Sequence, residues 1–317
     1  MYHACFGSIR NLVRKRDNVP GADRNSAVER TEIADVDIAE LQKWVGKTAT
    51  VTDQVTPVPI AALAATLDID APPPRPGDPL PPLWHWLYFL PADRQSELAA
   101  DGHARRGGFL PPIPLPRRMW AGGRFEFHHP LRVGESITRT SHIAAIEQKE
   151  GRTGPLVFVV ARHEISNSGG VAMTEEQDLV YRGLSKPGDP VPTTRMAPAD
   201  SAWERVVQPG SVLLFRYSAL TFNGHRIHYD YPYATKVEGY PGLLVHGPLI
   251  ATLLLDLLGR NMREAQVASF TFRAGSPLFD TTPFSVCGKP EKGGKTVSLW
   301  AKDAAGAMAT TATAVIA

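Results

Sequence analysis

The densest concentration of chemically useful side chains lies between residues 215 and 259, where Asn223, His225 and His228 fall within the string NGHRIH and His246-Gly247 follows downstream. An imidazole titrates near neutral pH and can take or give a proton, whereas an amide does not titrate and can only position water or a hydroxyl. The glycine matters for a different reason. Pro248 to Leu258 is apolar on nearly every face except at Thr252 and Asp256, which predicts a helix enclosed by other structure. Pro248 suits the first helical position and Gly259 a left-handed closing residue. Gly247 then stands where unpaired N–H groups and the positive end of the helix dipole hold a developing negative oxygen.

Each of these residues also has a plainer role. A histidine at position 228 can be structural, Asn223 can be a turn or cap residue, and Gly247 can simply start the helix. His225, His228, His246 and Asp230 together form a possible metal set, but Asp230 is placed to cap the short turn YPYATK, so no metal is expected.

The chain as a whole narrows the options. Its 317 residues suit two domains, each able to bury a core. With 34 basic and 32 acidic residues and a net charge of +2, it offers no field for a polyanion, so nucleic acid is not an expected partner. Two cysteines, Cys5 and Cys287, are too few for a disulfide framework or metal cluster, which fits a reducing cytoplasm. No apolar run approaches the roughly 18 residues of a membrane span, so a soluble protein with no membrane partner is expected. Residues 1–30 are arginine-rich and weakly apolar and are read as a flexible basic leader.

The elements that must position the site come in order. Residues 31–46 carry apolar positions at three- and four-residue spacing, predicting an opening amphipathic helix, and residues 59–67 predict a second. Eight prolines between Pro72 and Pro91 then forbid a regular helix and predict a rigid loop. It ends in Trp84, Trp86, Tyr88 and Phe89, read as core or interface rather than a ligand cage. Residues 105–118 read as another loop. Period-two alternation from 120 to 182 predicts three antiparallel strands, and residues 184–194, with three prolines, a linker.

The second half repeats the first. Phe125 and Phe127 recur as Phe270 and Phe272 at an offset of 145 residues, and the order of strands and charged turns after Pro130-Leu131 recurs after Pro277-Leu278. Self-similarity of this size predicts a duplicated α+β domain, residues 31–183 and 195–317. The proline loop stands in the first copy where the second has GHRIH and the long helix, so the chemistry is expected in the second copy alone.

The motif resembles that of the MaoC-like hotdog hydratases and dehydratases. Their pattern is aspartate, any residue, asparagine, proline, aliphatic, histidine, then a His-Gly opening the central helix. Asn223, His225, Arg226, Ile227 and His228 fall on it, and His246-Gly247 follows in register. Asn223 replaces the family's aspartate and Arg226 its proline. The string TFNGHRIHYD is similar to the branch of mitochondrial-type hydroxyacyl-thioester dehydratases and mesaconyl- and itaconyl-CoA hydratases. The resemblance implies a double hotdog, each half an antiparallel sheet wrapped around a helix, that adds water reversibly to a 2-enoyl thioester.

In that reading His228 carries the protons, Asn223 positions water and the Gly247 N–H binds the thioester oxygen. His225, His246 and Arg273 contact the acyl-CoA, with Arg273 meeting a phosphate. Arg117, Arg118 and Arg216 are candidates for a second substrate carboxylate. No cofactor is implied, and the chain is expected as a monomer or homodimer. The alternatives are a fatty 3-hydroxyacyl-thioester dehydratase acting on CoA or carrier-protein substrates, a hotdog thioesterase, which would need a carboxylate, and a non-catalytic acyl-thioester-binding protein.

Overall fold

In the computed structural model, which describes residues 36–151, 154–184 and 195–317, the alternating segments build one antiparallel sheet of ten strands. These are β1 (Thr48–Gln54), β2 (Arg117–Phe127), β3 (Ser136–Gly151), β4 (Gly154–Asn167), β5 (Gly170–Arg182), β6 (Trp203–Val207), β7 (Val267–Ala274), β8 (Phe284–Pro290), β9 (Thr296–Asp303) and β10 (Met308–Ile316). Their spatial order is β1-β3-β4-β5-β2-β7-β10-β9-β8-β6. It reads alike from either edge, β1 to β5 matching β6 to β10. The two sets meet at β2 and β7, where Phe125 lies opposite its own duplicate, Phe270. Phe125, Phe270 and Phe272 are buried there, with the Phe125 and Phe270 ring centroids 6.0 Å apart.

Each edge strand leads into a ten-residue helix, β1 into α2 (Pro57–Thr66) and β6 into α3 (Ser211–Leu220), and these two helices pack on each other. A shorter helix, α1 (Ile38–Gln42), precedes β1. The long helix α4 (Gly247–Asn261) occurs once and lies against β8, β6, β9 and β10. Seven of its buried side chains are Leu or Ile, and each contributes roughly 1.5–3 kcal/mol of burial. Its two polar interior positions are both satisfied. Thr252 Oγ1 donates back to the Pro248 carbonyl, and Asp256 pairs with Arg205 at 2.6 Å and Arg260 at 2.8 Å. Both arginines also donate to the Leu67 carbonyl at 3.1 Å, tying α4 to the end of α2.

Several expectations change. The opening helix shrinks to α1, and residues 31–35 lie outside those described, as do the leader 1–30 and nearly all of the linker 184–194. Period two between 120 and 182 covers four strands, because the chain breaks at His128–Glu135 between β2 and β3. The edge strands β1 and β6 were not anticipated. Gly259 does not close α4, which runs two residues further and is capped by Met262. In the first half a short 3-10 turn, Trp84–Leu87, occupies the segment after the proline run, and Trp84, Leu87, Tyr88 and Phe89 join the same core as α4.

Residues 33–317 form one compact unit, and the β2–β7 pairing with its phenylalanines crosses between the halves. A fragment of residues 195–317 would expose the β7 edge, Phe270 and the α3 face. We expect it to precipitate or to dimerise through β7 when assayed by size-exclusion chromatography; a stable, active monomer would contradict this.

Candidate active site

The NGHRIH segment makes a tight turn after α3. Phe222, with φ of 48°, sets the chain direction, and Asn223 Oδ1 accepts the His225 N–H at 3.0 Å. The asparagine oxygen therefore holds the turn, while its amino group makes no hydrogen bond to another described residue and Asn223 faces a cavity. A 3-10 turn, Arg226–His228, follows. Arg226, at the family's proline position, pairs with Asp230 at 2.7 Å and lies over the Tyr233 ring. Asp230 also accepts the Tyr233 N–H at 3.1 Å, so it caps the next turn as expected.

His228 turns inward and is 7 % exposed. Its Nδ1–H donates to the Leu244 carbonyl at 2.7 Å, which fixes the tautomer and leaves Nε2 unprotonated. Burial, opposed by that hydrogen bond, lowers its pKa to about 4. Its ring stacks on His246 at 3.7 Å and meets His225 edge-on at 5.5 Å. His246 is the N-cap of α4 and fully buried, with Nε2 hydrogen-bonded to Ser218 at 2.8 Å. Burial holds it well below the usual histidine range. It is thus a packing partner of His228, not the substrate contact expected for it. Gly247, the first residue of α4, is half-buried, has open space where a side chain would project, and its N–H makes no hydrogen bond to a described residue.

The cavity beside this turn measures about 1010 Å³, at the upper end of the roughly 300–1,000 Å³ of small-molecule sites. Asn223, Gly224, Arg226, Ser218 and Pro248 form one side. The opposite side comes from the first half: Trp86, Tyr88, Phe89 and residues 98–100, 102–106 and 108–110, with Arg118 and Arg139. The aromatic cluster is therefore both core and wall. Arg106 is spent on the carbonyls of Ile113, Leu115 and Pro116. Arg139 lies over the Phe89 ring at 5.1 Å with its Nε buried and unpaired. Of the arginines considered from sequence, Arg118 reaches the wall, Arg117 pairs with Glu238 at 3.4 Å, and Arg216 is exposed on α3. Arg273 is exposed on the face of β7 opposite Phe270 and Phe272 and does not line the cavity, so its assignment as a substrate contact is not supported.

Sequence reasoning missed Asp101 and His103. The string Asp101-Gly102-His103 repeats the form of Asn223-Gly224-His225, and the two turns pack face to face. Asp101 Oδ1 accepts the His103 N–H at 3.0 Å, just as Asn223 does for His225. A Cβ on Gly102 would fall 1.9 Å from the Gly224 carbonyl oxygen, and one on Gly224 2.7 Å from that of Gly102. Arg226 N–H donates to the Asp101 carbonyl at 2.9 Å, and the His103 and His225 rings lie 4.1 Å apart. The D-G-H string was the available signal.

Ligand atoms of Asp101, His103 and His225 lie within 4.8 Å of one another, close enough to consider a cation. However, both carboxylate oxygens already accept from His103, one from its N–H and one from Nδ1 at 3.1 Å, so a cation would have to displace these bonds. The original set with His228 and His246 does not converge, since Nδ1 of one and Nε2 of the other are bonded elsewhere. Among the described residues no helix is long and apolar enough to cross a membrane.

Comparison with known proteins gives consistent results. Residues 83–280 match the family described as hydroxyacyl-thioester dehydratase type 2. Mesaconyl-C(4)-CoA hydratase of Chloroflexus aurantiacus is 49 % identical over 278 residues, covering 87 % of this chain and 97 % of that protein. Among solved structures, HtdX of Mycobacterium tuberculosis aligns with a TM-score of 0.61 at 21 % identity, over 84 % of this chain and 98 % of that one. A second Mycobacterium tuberculosis protein, described as having a double hotdog fold, aligns with a TM-score of 0.52 at 14 % identity, over 86 % and 96 %. The fold is a double hotdog, and the chain belongs to the hydroxyacyl-thioester dehydratase type 2 family of MaoC-like hotdog enzymes.

Proposed function

We propose that this protein is a hydro-lyase that reversibly hydrates a short, branched or dicarboxylic 2-enoyl-CoA such as mesaconyl-CoA. The observation that carries the reading is the meeting, at the N-terminus of α4, of His228, with one ring nitrogen bound and one free, and the unclaimed Gly247 N–H. His228 Nε2 takes a proton from the water and returns it at the carbon next to the thioester. The amino group of Asn223 holds the water or product hydroxyl, and Gly247 N–H donates to the thioester oxygen on which negative charge develops. His225, half-buried with ring nitrogens free of hydrogen bonds to described residues, stands behind the cavity wall between His103 and His228. The second half supplies these groups and the first half the opposite wall.

Substrate size and charge follow from that wall. Arg105, Arg106, Arg118 and Arg139 outnumber the one carboxylate, Asp93, on the first-half wall and give that wall a net positive charge, which suits a carboxylated acyl group better than a long alkyl chain. The near-full-length likeness to the Chloroflexus hydratase supports the same choice. The reading needs no cofactor and places the enzyme in the cytoplasm as a monomer or homodimer. Loss of enoyl-thioester ultraviolet absorbance should give a higher kcat/KM for mesaconyl-CoA than for a long-chain enoyl-CoA, with crotonyl-CoA between them. A preference for the long chain would instead mark a fatty hydroxyacyl-thioester dehydratase, and release of free thiol a thioesterase.

The roles of the two motif residues separate by substitution. His228→Ala should lower kcat on the order of 100- to 10,000-fold. Asn223→Ala should cost less, since it removes a hydrogen-bonding group and not a proton carrier. Asn223→Asp keeps the acceptor for the His225 N–H but adds negative charge near His228, raising the imidazole pKa. Because the base works deprotonated, the acid limb of the rate profile should then move to higher pH. Wild type inactive and Asn223→Asp active would mean that the native protein only binds thioesters.

Acid–base chemistry by side chains also predicts that exhaustive treatment with a chelator leaves the hydration rate unchanged. An activity lost to the chelator and restored by zinc would place a cation in the Asp101–His103–His225 cluster instead.

A further inference from the structure

The histidine that the cavity wall includes is His103; none of His225, His228 and His246 is part of that wall. His103 is also the histidine of this cluster with a carboxylate partner, since Asp101 Oδ2 lies 3.1 Å from its Nδ1. A carboxylate on Nδ1 fixes the tautomer with Nε2 free and stabilises the imidazolium that forms when Nε2 takes a proton. The loop carrying the pair is held to the NGHRIH turn by the Gly102–Gly224 contact and by hydrogen bonds from Arg226 to the carbonyls of Ala100 and Asp101. The position of His103 is therefore set by the motif itself.

We propose that His103, oriented by Asp101, is a second acid–base residue of the active site, contributed by the first half of the chain. The inference rests on the hydration reading above. In the hydration direction the water oxygen bonds to the β-carbon and its proton passes to His103 Nε2. The alkene electron pair moves toward the thioester as an enolate. The proton taken up by His103 passes across His225, whose ring lies beside both, to His228 Nε2, which delivers it to the α-carbon, so one water is added and His103 and His228 end as they began. The facing turn carries an amide, Asn223, where this one carries the carboxylate.

The charged and titratable groups facing His103 are Asp101 and Arg106 on its own loop, Arg118 on β2, and His225 and His228 on the opposing turn. Burial lowers its pKa, and Asp101 opposes that shift. Removing the carboxylate should therefore lower it further.

The test is steady-state hydration by the full-length enzyme across pH. His103→Gln should reduce kcat on the order of 100-fold or more with KM little changed. Asp101→Asn should reduce kcat less and shift the acid limb of kcat/KM to lower pH, which a purely structural role would not do. Added imidazole should restore part of the rate of His103→Ala, since the side chain it replaces stood on the cavity wall. Full activity in His103→Gln alongside an inactive His228→Ala would overturn the proposal while leaving hydration intact, with His228 carrying both protons. Loss of rate in both His103 variants without rescue by imidazole would also overturn it, in favour of a structural histidine. A wild-type enzyme that hydrates no enoyl-CoA would overturn both readings together.

Discussion

Two backbones approach at Gly102 and Gly224 more closely than any side chain would allow, and the architecture of the site depends on that contact. A methyl group at either position would meet a carbonyl oxygen well inside van der Waals distance. Because both residues are glycine, two Asx-Gly-His turns from opposite halves can lie face to face and present their imidazoles side by side. The hydrogen bonds from Arg226 across this contact explain why an arginine stands where the family pattern has proline. A proline has no N–H to give the Asp101 carbonyl and no guanidinium to reach Ala100.

Burial then differentiates the imidazoles. His246 and His228 are stacked deep against α4, where desolvation favours their neutral forms. His225, half-buried between His228 and His103, is held well below the usual histidine range, first by burial and then by its histidine neighbours. His103, nearest the cavity, has a carboxylate to offset the same cost. A graded row from enclosed to accessible results, built from one residue type by varying only what surrounds each copy.

Much of this was legible from the chain. The NGHRIH turn, the buried helix with its opening His-Gly, and the repeat of Phe125 and Phe127 at Phe270 and Phe272 are local or periodic signals, and the fold carries each of them. The failures share a physical cause. β1 and β6 are edge strands with one partner each, and β6 has only five residues, so neither needed strong alternation. Gly259 has room inside α4 and needs no left-handed conformation, which composition alone does not reveal. Arg273 follows the two-residue period of β7 onto the outer face, and this was readable from Phe270 and Phe272 once the core side was known. Asp101 and His103 lie in a segment with no regular structure, and their importance comes from a partner more than a hundred residues away.

The opposition of Phe125 and Phe270 at the centre of the sheet has a consequence for how the enzyme behaves at low abundance. An arrangement of this symmetry made from two separate chains would dissociate on dilution. Here the pairing is intramolecular, so the local concentration of one half about the other is set by covalent connection and not by expression level. The meeting of the two halves therefore needs no second chain.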